Sequence, residues 1–337
     1  MNPEPLISVV MCTYNGGGFV EQAIADIQAQ SYPNWELVIS DDRSTDGTRD
    51  LLSTLPKDKR IRIIFQPENV GYVHNKNFAI GQARGELITQ QDQDDRSDPE
   101  RLERQLTALQ SSGLEIAACG YRRLDAKGRT LFEVAPPAET IMDAKPEGDY
   151  PFWFPSMLVS RRVYDEMGLF STYFAGVFGD DLYWTVRANQ RFPIICLPDI
   201  LYGYTDAPAS ITSLLDNPRK VVMSEILAAL VAQRRSTGTD DLEQGRNDVL
   251  QAMEDQLLAD SALLARRYQV CAARSLDQGR LADAKALLRK SFALRPLRPA
   301  LMRTVLYYLR VKLQRRLAEL FCTPPGPATA VRISQKT

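Results

Sequence analysis

An acidic cluster at residues 92–95 (DQDD) is the part of the sequence whose residue types and spacing best suit chemistry. It follows the apolar run at residues 87–89 and precedes a helix-like segment at residues 101–106. Carboxylates crowded at a strand end repel one another unless a cation lies among them, and hard divalent metals that hold phosphates prefer oxygen ligands. The cluster predicts a metal-assisted nucleotide site; a solvated acidic turn is the alternative.

A second polar group closes another apolar run. Asp41 and Asp42 precede a turn that contains Ser44 and Asp46. An aspartate at a strand tip can accept a hydrogen bond from the imide N–H of uracil or thymine. The turn residues suit capping of the next helix, so Asp46 is predicted to be a plain cap.

A third polar group, Thr13, Tyr14 and Asn15, leads from the first apolar run into three consecutive glycines. Glycines at such a point let the backbone approach a nucleotide, or they only form a turn. The group is therefore a candidate ligand-binding segment.

Strand-like and helix-like patterns alternate through the first hundred residues. The predicted strands are residues 7–13, 36–41, 61–66 and 86–91, and the predicted helices are residues 19–30, 48–55 and 73–83. Such alternation predicts an α/β fold with βαβ units and a mainly parallel sheet. Ligands of such sheets bind beyond the carboxyl ends of the strands, where Thr13, Asp41 and Asp92 would meet in one crevice.

The composition is that of an ordinary globular protein: 337 residues, 44% hydrophobic and 25% charged. Five cysteines without paired spacing and a single histidine, His74, leave no Cys–His zinc site. A reducing cytosol is expected, and His74 is interpreted as an ordinary helix residue. The N-terminal apolar run is too short for a signal or a membrane span, so the chain is not expected to cross a bilayer.

Charge divides the chain into two parts. Residues 1–216 hold 20 Lys and Arg against 31 Asp and Glu, whereas residues 217–337 hold 21 against 11. The acidic first part argues against a nucleic-acid groove, because a phosphate backbone needs a basic track. We predict a catalytic domain at residues 1–216, a helical domain at residues 217–322 and a flexible tail at residues 323–337, with residues 134–156 as a long loop.

Five segments resemble the family-2 glycosyltransferases, and they occur in that family's order over roughly residues 6–215. These segments are ISVVMCTYN, ELVISDDRSTDGT, NVGYVHNKN, QQDQDD and FGDDLYWTVR. The resemblance implies the GT-A fold, which is a Rossmann-like, mainly parallel sheet flanked by helices, here followed by a helical C-terminal region. It also implies inverting transfer of a sugar from a nucleotide-diphosphate donor with Mn²⁺ or Mg²⁺.

The resemblance assigns the donor site to several of these residues. Asp94 would coordinate the metal that bridges the diphosphate, with Asp92 contacting ribose or the metal shell, while Asp95 can cap the next helix. The metal would neutralise the leaving group. Lys76 matches an arginine that steadies the diphosphate, as a point charge without bidentate geometry. The other implied donor contacts are Thr13, Tyr14, Asn15, Asp41 and Asp42.

The resemblance also supplies a general base. Asp180-Asp181 replaces the usual Glu-Asp pair, and Asp181 would take the proton of the acceptor hydroxyl. An aspartate with an ordinary pKa of about 3.9 is a weak base toward an alcohol, so proton transfer must occur late. The alternative for the pair is helix N-capping, and Trp184 is either an acceptor contact or an ordinary helix residue.

Two positions depart from the family pattern. Arg43 stands where relatives usually have a small residue, which affects the local turn. Residues 205–210 replace the Arg-x-His-Pro-Gly-Ser run of many relatives, and Ala207 cannot ligate a metal or a phosphate. A third protein contact is then missing or comes from another group such as Asp206, and the metal dependence is expected to be weaker.

The helical tail is basic and amphipathic. Residues 279–316 contain 11 Lys and Arg and a single acid, Asp283, interleaved with leucines. Such a segment can lie on an anionic membrane surface or form a helical bundle with a basic rim. Residues 279–296 look like one tetratricopeptide-type helix pair.

The predicted function is transfer of a sugar from a UDP- or dTDP-linked donor to a hydroxyl of a surface polysaccharide or lipid-linked glycan. The predicted location is cytoplasmic, with peripheral contact to the inner face of the plasma membrane. The first alternative is a catalytically impaired glycosyltransferase-like binding or scaffold protein. A nucleotidyltransferase is the second, although it would need a basic triphosphate loop that the sequence does not show.

Overall fold

A computed structural model describes residues 4–142, 150–206, 217–277 and 279–321, with side chains to residue 314. The described chain divides into two compact units, Met1–Asn247 and Asp248–Thr337. The first unit extends beyond the domain limit predicted at residue 216. It does so because the helix that follows packs within it.

The first unit is built on a ten-stranded sheet. Its strands are β1 Ile7–Thr13, β2 Trp35–Asp41, β3 Ile61–Phe65, β4 Leu87–Gln90, β5 Arg96–Ser97, β6 Ile116–Leu124, β7 Thr130–Val134, β8 Thr140–Met142, β9 Leu158–Ser160 and β10 Ile194–Thr205. The strand order is β3-β2-β1-β4-β9-β6-β10-β5, with β7 on β6 and β8 on β10. Strands β3, β2, β1 and β4 are parallel, as are β6 and β10, whereas β9 runs antiparallel between β4 and β6.

Helices flank the sheet on both faces. In the first unit they are α1 Val20–Gln28, α2 Thr48–Thr54, α3 Tyr72–Gln82, α4 Arg101–Ser112, α5 Arg161–Met167, α6 Asp180–Asn189 and α7 Pro218–Thr237. Apolar side chains of α1, α2 and α4 join one hydrophobic core, and those of α3, α5 and α6 join the other. Successive strand residues such as Val9 and Val10 enter opposite cores because side chains alternate along a strand.

The predicted strands and helices of the first hundred residues are confirmed to within two residues at each end. The long loop predicted at residues 134–156 is wrong in part. It contains β8, which pairs with β10, and a short 3₁₀ helix at Phe154–Ser156; residues 143–149 lie outside the described residues. Three β8 residues are too few to show a strand period in the sequence.

The second unit is helical. Helix α8 Asn247–Ala259 leads into α9 Ser261–Asp277, α10 Leu281–Leu294 and α11 Pro299–Phe321. Buried Tyr268 and Leu288 contribute to its core, and Ser291 Oγ donates a hydrogen bond to the Ala265 carbonyl at 2.7 Å. Residues 281–294 form one helix, so the helix pair predicted within residues 279–296 is wrong; α10 pairs with α9 instead. Residues 323–337 lie outside the described residues.

No helix within the described parts of the chain combines the length and the apolar character that a membrane span requires.

Candidate active site

Three polar groups meet at one edge of the parallel sheet. Thr13 at the end of β1 lies beside Asp41 at the end of β2, and Val10 lies beside Gln90 at the end of β4. The loop after β4 therefore emerges next to the segment after β1. This arrangement forms the crevice that the alternating pattern predicted.

The tip of β1 is fastened to the acidic loop by Gln93. Thr13 Oγ1 donates to Gln93 Oε1 at 2.6 Å, and the Tyr14 N–H donates to the same oxygen at 3.0 Å. A Cβ at Gly16 would lie 2.2 Å from that oxygen, so a larger residue there would displace the Gln93 side chain from this position. Of the three predicted binding residues in this segment, Tyr14 and Asn15 are exposed, Tyr14 at 46%, whereas Thr13 is buried.

Asn15 connects this tip to the turn after β2. It adopts a left-handed backbone with φ of 51°, which asparagine tolerates better than most residues. Its N–H donates to Ser44 Oγ at 2.9 Å, and its Oδ1 accepts from the Thr45 N–H at 2.8 Å. Arg43 also has a left-handed backbone, with φ of 60°. The turn is therefore unusual at the position where Arg43 departs from the family pattern.

Asp41 and Asp42 are both buried but have different surroundings. Asp42 Oδ1 and Oδ2 accept hydrogen bonds from the Val70 and Gly71 N–H groups at 2.8 and 2.9 Å. Asp42 therefore holds the loop before α3, which differs from its predicted role as a donor contact.

Asp41 retains an acceptor. Its Oδ2 accepts from the Ser44 N–H at 3.1 Å and lies 3.4 Å from Arg49 Nε. Its Oδ1 is buried and has no hydrogen-bond partner among the described residues. A buried carboxylate oxygen without a donor is costly, so this atom is suited to an N–H group from a ligand. Asp46 Oδ1 accepts from the Thr48 N–H at 2.9 Å, which is the predicted capping role.

The acidic loop divides its three carboxylates between two tasks. Asp95 Oδ2 accepts from Tyr202 OH and Asp95 Oδ1 from the Thr205 N–H, both at 2.8 Å. Asp95 thus joins the loop to β10, and its predicted capping of the next helix is wrong. Asp92 Oδ1 accepts from Tyr72 OH at 3.2 Å, and Asp94 remains partly exposed.

The three carboxylates of the acidic loop all have raised pKa values. Burial and the neighbouring Asp94 raise the pKa of Asp92 to about 6. Burial also raises the pKa of Asp94, and it raises the pKa of Asp95 well above its ordinary value, with Asp92 and Asp94 adding to the effect. Groups whose pKa values rise in this way favour a nearby cation.

A buried ion pair lies behind the start of α6. The Lys76 ammonium contacts Asp180 Oδ2, and both side chains are buried. Burial lowers the pKa of Lys76, but the negative charges of Asp180 and Asp181 raise it by a larger amount. The pKa of Lys76 is therefore above its ordinary value. Lys76 also lies over the Tyr72 and Phe170 rings, at 4.5 and 4.0 Å from their centroids. The family resemblance implied that the Lys76 ammonium contacts the diphosphate, but in the structure this ammonium contacts Asp180.

Asp181 is the less constrained member of its pair. Its Oδ1 accepts from the Leu182 N–H at 2.7 Å, and the residue remains partly exposed. Burial and Asp180 raise the pKa of Asp181 to about 6, and Asp92 contributes to this shift. Asp181 and Asp92 therefore act in one electrostatic environment. A carboxylate with this pKa is a better proton acceptor near neutral pH than an ordinary aspartate.

Gly179 and α7 position the first turn of α6. Gly179 has φ of 107°, and a Cβ there would lie 2.4 Å from Leu227 Cδ1 of α7. Buried Arg234 contacts Asp240, whose carboxylate also accepts from Tyr183 OH at 2.9 Å. Helix α7 thereby supports the turn that carries Asp180 and Asp181.

Trp184 does not lie in the crevice. It is 1% exposed, its Nε1–H donates to the Gly168 carbonyl at 2.8 Å, and its ring stacks on Tyr164 at 4.9 Å. The prediction that Trp184 contacts the acceptor is therefore wrong, because Trp184 is a core residue. The sequence could not distinguish the two, because α6 presents aromatic residues on more than one face.

Asp206 is engaged elsewhere as well. Its two carboxylate oxygens accept from Arg123 Nε and Nη2 at 2.9 and 2.6 Å. The predicted substitute metal contact is thus committed to a bidentate ion pair. Ala207 lies outside the described residues.

Within the described residues, no three His, Cys, Asp or Glu side chains are gathered closely enough to hold a metal ion. Asp92 and Asp94 supply two carboxylates with raised pKa values. These residues fit a divalent cation that takes its remaining ligands from a diphosphate and water, which is usual for Mg²⁺ sites. They do not fit a closed, all-protein metal cage.

Four site residues were missed by the sequence interpretation: Tyr72, Gln93, Arg49 and Tyr202. Tyr72 directly follows Gly71 in a segment that carried the resemblance, and this position could have marked it. Gln93 likewise lies within the QQDQDD segment, whereas Arg49 and Tyr202 carry no such signal, because only the folded sheet brings them to the crevice.

Residues 8–168 match the family model described as Glycosyl transferase family 2, and the chain has the GT-A fold.

Relatives in sequence include the putative teichuronic acid biosynthesis glycosyltransferase TuaG of Bacillus subtilis. It is 36% identical over 146 residues, which are 42% of this chain and 58% of TuaG. The succinoglycan biosynthesis protein ExoO of Rhizobium meliloti is 34% identical over 136 residues, which are 39% of each chain. The matched segments thus span only about half the length of these relatives.

Solved structures share the fold over most of the chain. The S. aureus TarS 1–349 complex with UDP-GlcNAc covers 93% of this chain and 92% of its own, with 17% identity and a TM-score of 0.58. The mannosyltransferase PcManGT of Pyrobaculum calidifontis, in complex with GDP-Man and Mn²⁺, covers 94% and 88%, with 21% identity and a TM-score of 0.53. At sequence identities this low, the structural similarity establishes the fold alone.

Proposed function

We propose that the protein is an inverting glycosyltransferase that uses a UDP- or dTDP-sugar and a divalent cation. The observation that carries the proposal is that Asp92 lies close enough to Asp94 and to Asp181 for charge to be felt between them: Asp94 raises the pKa of Asp92, and Asp92 adds to the raised pKa of Asp181. The shared fold and the relatives named for teichuronic acid and succinoglycan biosynthesis support it.

The donor would lie along the edge of the sheet. Asp41 Oδ1 would accept the imide N–H of uracil or thymine, which guanine presents differently. Asp94 would coordinate Mn²⁺ or Mg²⁺, with Asp92 beside it, and the bound cation would neutralise charge on the diphosphate as the glycosidic bond breaks. Thr13, Tyr14 and Asn15 would border the nucleotide.

Asp181 would act as the general base. The acceptor oxygen forms a bond to the anomeric carbon while its proton passes to Asp181. The anomeric carbon–oxygen bond breaks at the same time, and its electron pair stays on the diphosphate oxygen. A single displacement inverts the configuration at the anomeric carbon. The proposed acceptor is a hydroxyl of a surface polysaccharide or lipid-linked glycan.

The test is nucleoside diphosphate release from UDP-, dTDP- and GDP-sugars, with and without Mn²⁺, together with the melting temperature. Wild type is compared with Asp94→Asn and Asp181→Asn, with and without candidate glycan acceptors. A donor at about 100 times its dissociation constant adds about 2.7 kcal/mol to the free energy of unfolding, so binding is visible without turnover. Release selective for uracil or thymine donors and lost in both variants is expected.

The other outcomes separate the alternatives. Stabilisation without release, even with acceptors, would favour a glycosyltransferase-like binding protein. Transfer of a nucleoside monophosphate would favour a nucleotidyltransferase. The absence of both stabilisation and release would contradict the nucleotide-sugar proposal.

We also propose peripheral binding of the protein to the cytoplasmic face of an anionic membrane through α11. Met302, Leu306, Leu309 and Leu313 are exposed at helical spacing along α11. Arg303 and Arg310 are exposed beside this stripe. Apolar side chains flanked by basic ones bind anionic bilayers through both surface burial and charge.

Sedimentation with phosphatidylglycerol vesicles tests the membrane proposal. Arg303→Glu/Arg310→Glu should abolish cosedimentation, whereas Lys57→Glu/Lys59→Glu, which reverses two exposed charges in the first unit, should not. Equal binding by both variants, or no binding by wild type, would contradict it.

A further inference from the structure

An aromatic cavity borders the start of α6. Its volume is about 390 Å³, within the usual range of small-molecule sites. The lining residues are Tyr121, Tyr150, Pro151, Phe152, Trp153, Phe154 and Leu182. Leu182 directly follows Asp181, so one wall of the cavity belongs to the same helical turn as the proposed base.

Trp153 is the central aromatic side chain of this wall. Its ring lies 4.1 Å from the ring of Tyr204 and 5.8 Å from that of Tyr121, measured between centroids. Phe154 follows at 6.3 Å. Neighbouring rings hold Trp153 in place, which gives a rigid flat surface with little side-chain entropy left to lose on binding.

The indole of Trp153 differs from that of Trp184 in the core. Trp153 is partly exposed, and its Nε1 is buried without a hydrogen-bond partner among the described residues. The Trp184 Nε1–H donates to the Gly168 carbonyl. Buried indole N–H groups usually find a partner, and the Trp153 Nε1–H has none among the described residues, so the protein itself does not satisfy this donor.

The chemistry of the lining selects a neutral ligand. None of the lining side chains carries a formal charge at neutral pH. The electron-rich faces of aromatic rings attract the weakly positive C–H groups on the flat face of a pyranose, while N–H and O–H groups at the rim can bind sugar hydroxyls. A diphosphate, by contrast, would bind where cations or backbone N–H groups gather.

We propose that this aromatic cavity is the acceptor subsite, with Trp153 as the stacking platform for a neutral pyranose of an oligosaccharide acceptor. The inference rests on the proposed function, because it needs Asp181 as the base next to the acceptor hydroxyl. It extends that function by assigning acceptor selection to the segment around Trp153.

The experiment measures donor and acceptor separately. Cellotriose, maltotriose and chitotriose serve as neutral probes, each at about 10 mM, where weak binding is detectable by saturation-transfer NMR on the UDP-saturated protein. Acceptor KM and kcat are measured for any probe that is glycosylated. Donor binding is followed through the melting temperature.

Three variants make the test specific. Trp153→Ala should weaken probe binding, or raise the acceptor KM, by about tenfold or more, while the shift in melting temperature caused by the donor stays unchanged. Trp153→Phe should retain most of the binding. Phe132→Ala is the matched control, because Phe132 is aromatic and 46% exposed but does not line the cavity.

Each result decides one question. Unchanged probe binding and acceptor KM in Trp153→Ala would overturn the subsite. So would the absence of probe binding to a wild type that still binds and turns over donor. If the donor does not shift the melting temperature of the wild type, the proposed function is overturned instead. Probe binding measured by NMR would then still report on the cavity.

Discussion

Two aspartate pairs at the crevice have the same composition and opposite arrangements. In Asp41-Asp42 at the end of β2, the second residue accepts two backbone N–H groups and the first retains a buried oxygen without a partner among the described residues. In Asp180-Asp181 at the start of α6, the first residue pairs with Lys76 and the second is left partly exposed with a raised pKa.

The difference teaches that each pair contains one structural and one available carboxylate. The structural member is satisfied by the protein, and its removal should weaken folding. The available member lacks a full set of partners, and its removal should weaken ligand binding or turnover. Sequence position within the pair does not decide which is which.

The largest expected effect is on turnover by Asp181→Asn. Loss of a general base typically lowers kcat by about 10²- to 10⁴-fold. The introduced amide would retain an oxygen for the Leu182 N–H, so the melting temperature should not fall. Sugar transfer under saturating donor measures the first quantity and thermal unfolding the second. A parallel loss of both would assign Asp181 to the structural class.

Lys76→Met should give the largest loss of stability. It leaves Asp180 buried without its cation, and breaking a buried ion pair costs about 3–5 kcal/mol. Urea unfolding of the variant measures this. The double variant Lys76→Met/Asp180→Leu should recover part of the loss, because it removes the unpaired charge. No recovery would contradict the pairing.

Asp41→Asn and Asp42→Asn should separate binding from folding. Asp42→Asn places an amide NH₂ against a backbone N–H, at a cost of about 1–3 kcal/mol in the free energy of unfolding. Asp41→Asn should instead lower affinity for UDP by about tenfold or more, since a charge-assisted hydrogen bond is lost. Calorimetric titration with UDP measures the affinity of each variant, and urea unfolding measures its stability. A loss of stability in Asp41→Asn together with a loss of UDP affinity in Asp42→Asn would contradict the assignment.

The smallest effect is on pH dependence. Turnover should fall below about pH 6, because Asp181 and Asp92 then gain protons. For stability the sign is opposite to that of a salt-bridged carboxylate. A folded-state pKa raised from 3.8 to about 6 gives a contribution that is full below the ordinary value and is lost as pH rises through 6. Asp181→Asn should therefore raise the melting temperature at pH 8 more than at pH 4.5. An equal change at both pH values would remove Asp181 from this account.

The sequence was informative where its signal is local. Apolar runs and helical spacing predicted β1 to β4 and α1 to α3 closely, because core-facing residues recur with the period of each element. The placement of Asp41, Asp92 and Asp181 near one crevice followed from parallel-strand geometry and the family resemblance.

The rest depends on long-range packing. Whether Lys76 faces a diphosphate or Asp180 is decided by the burial of α3 against the start of α6, 104 residues later. Trp184 entered the core because Tyr164 and Phe170 pack on it. Neither outcome is written in the spacing of nearby residues.

The anchoring of Asp95 has a consequence for the order in which the protein is made. Its partners Tyr202 and Thr205 follow it by 107 and 110 residues, whereas the family match ends at residue 168. A nascent chain that has just emerged through residue 168 holds the first four parallel strands but not the strand that closes the acidic loop. Contacts this distant in sequence form late and slowly, so the site is completed only near the end of synthesis of the first unit.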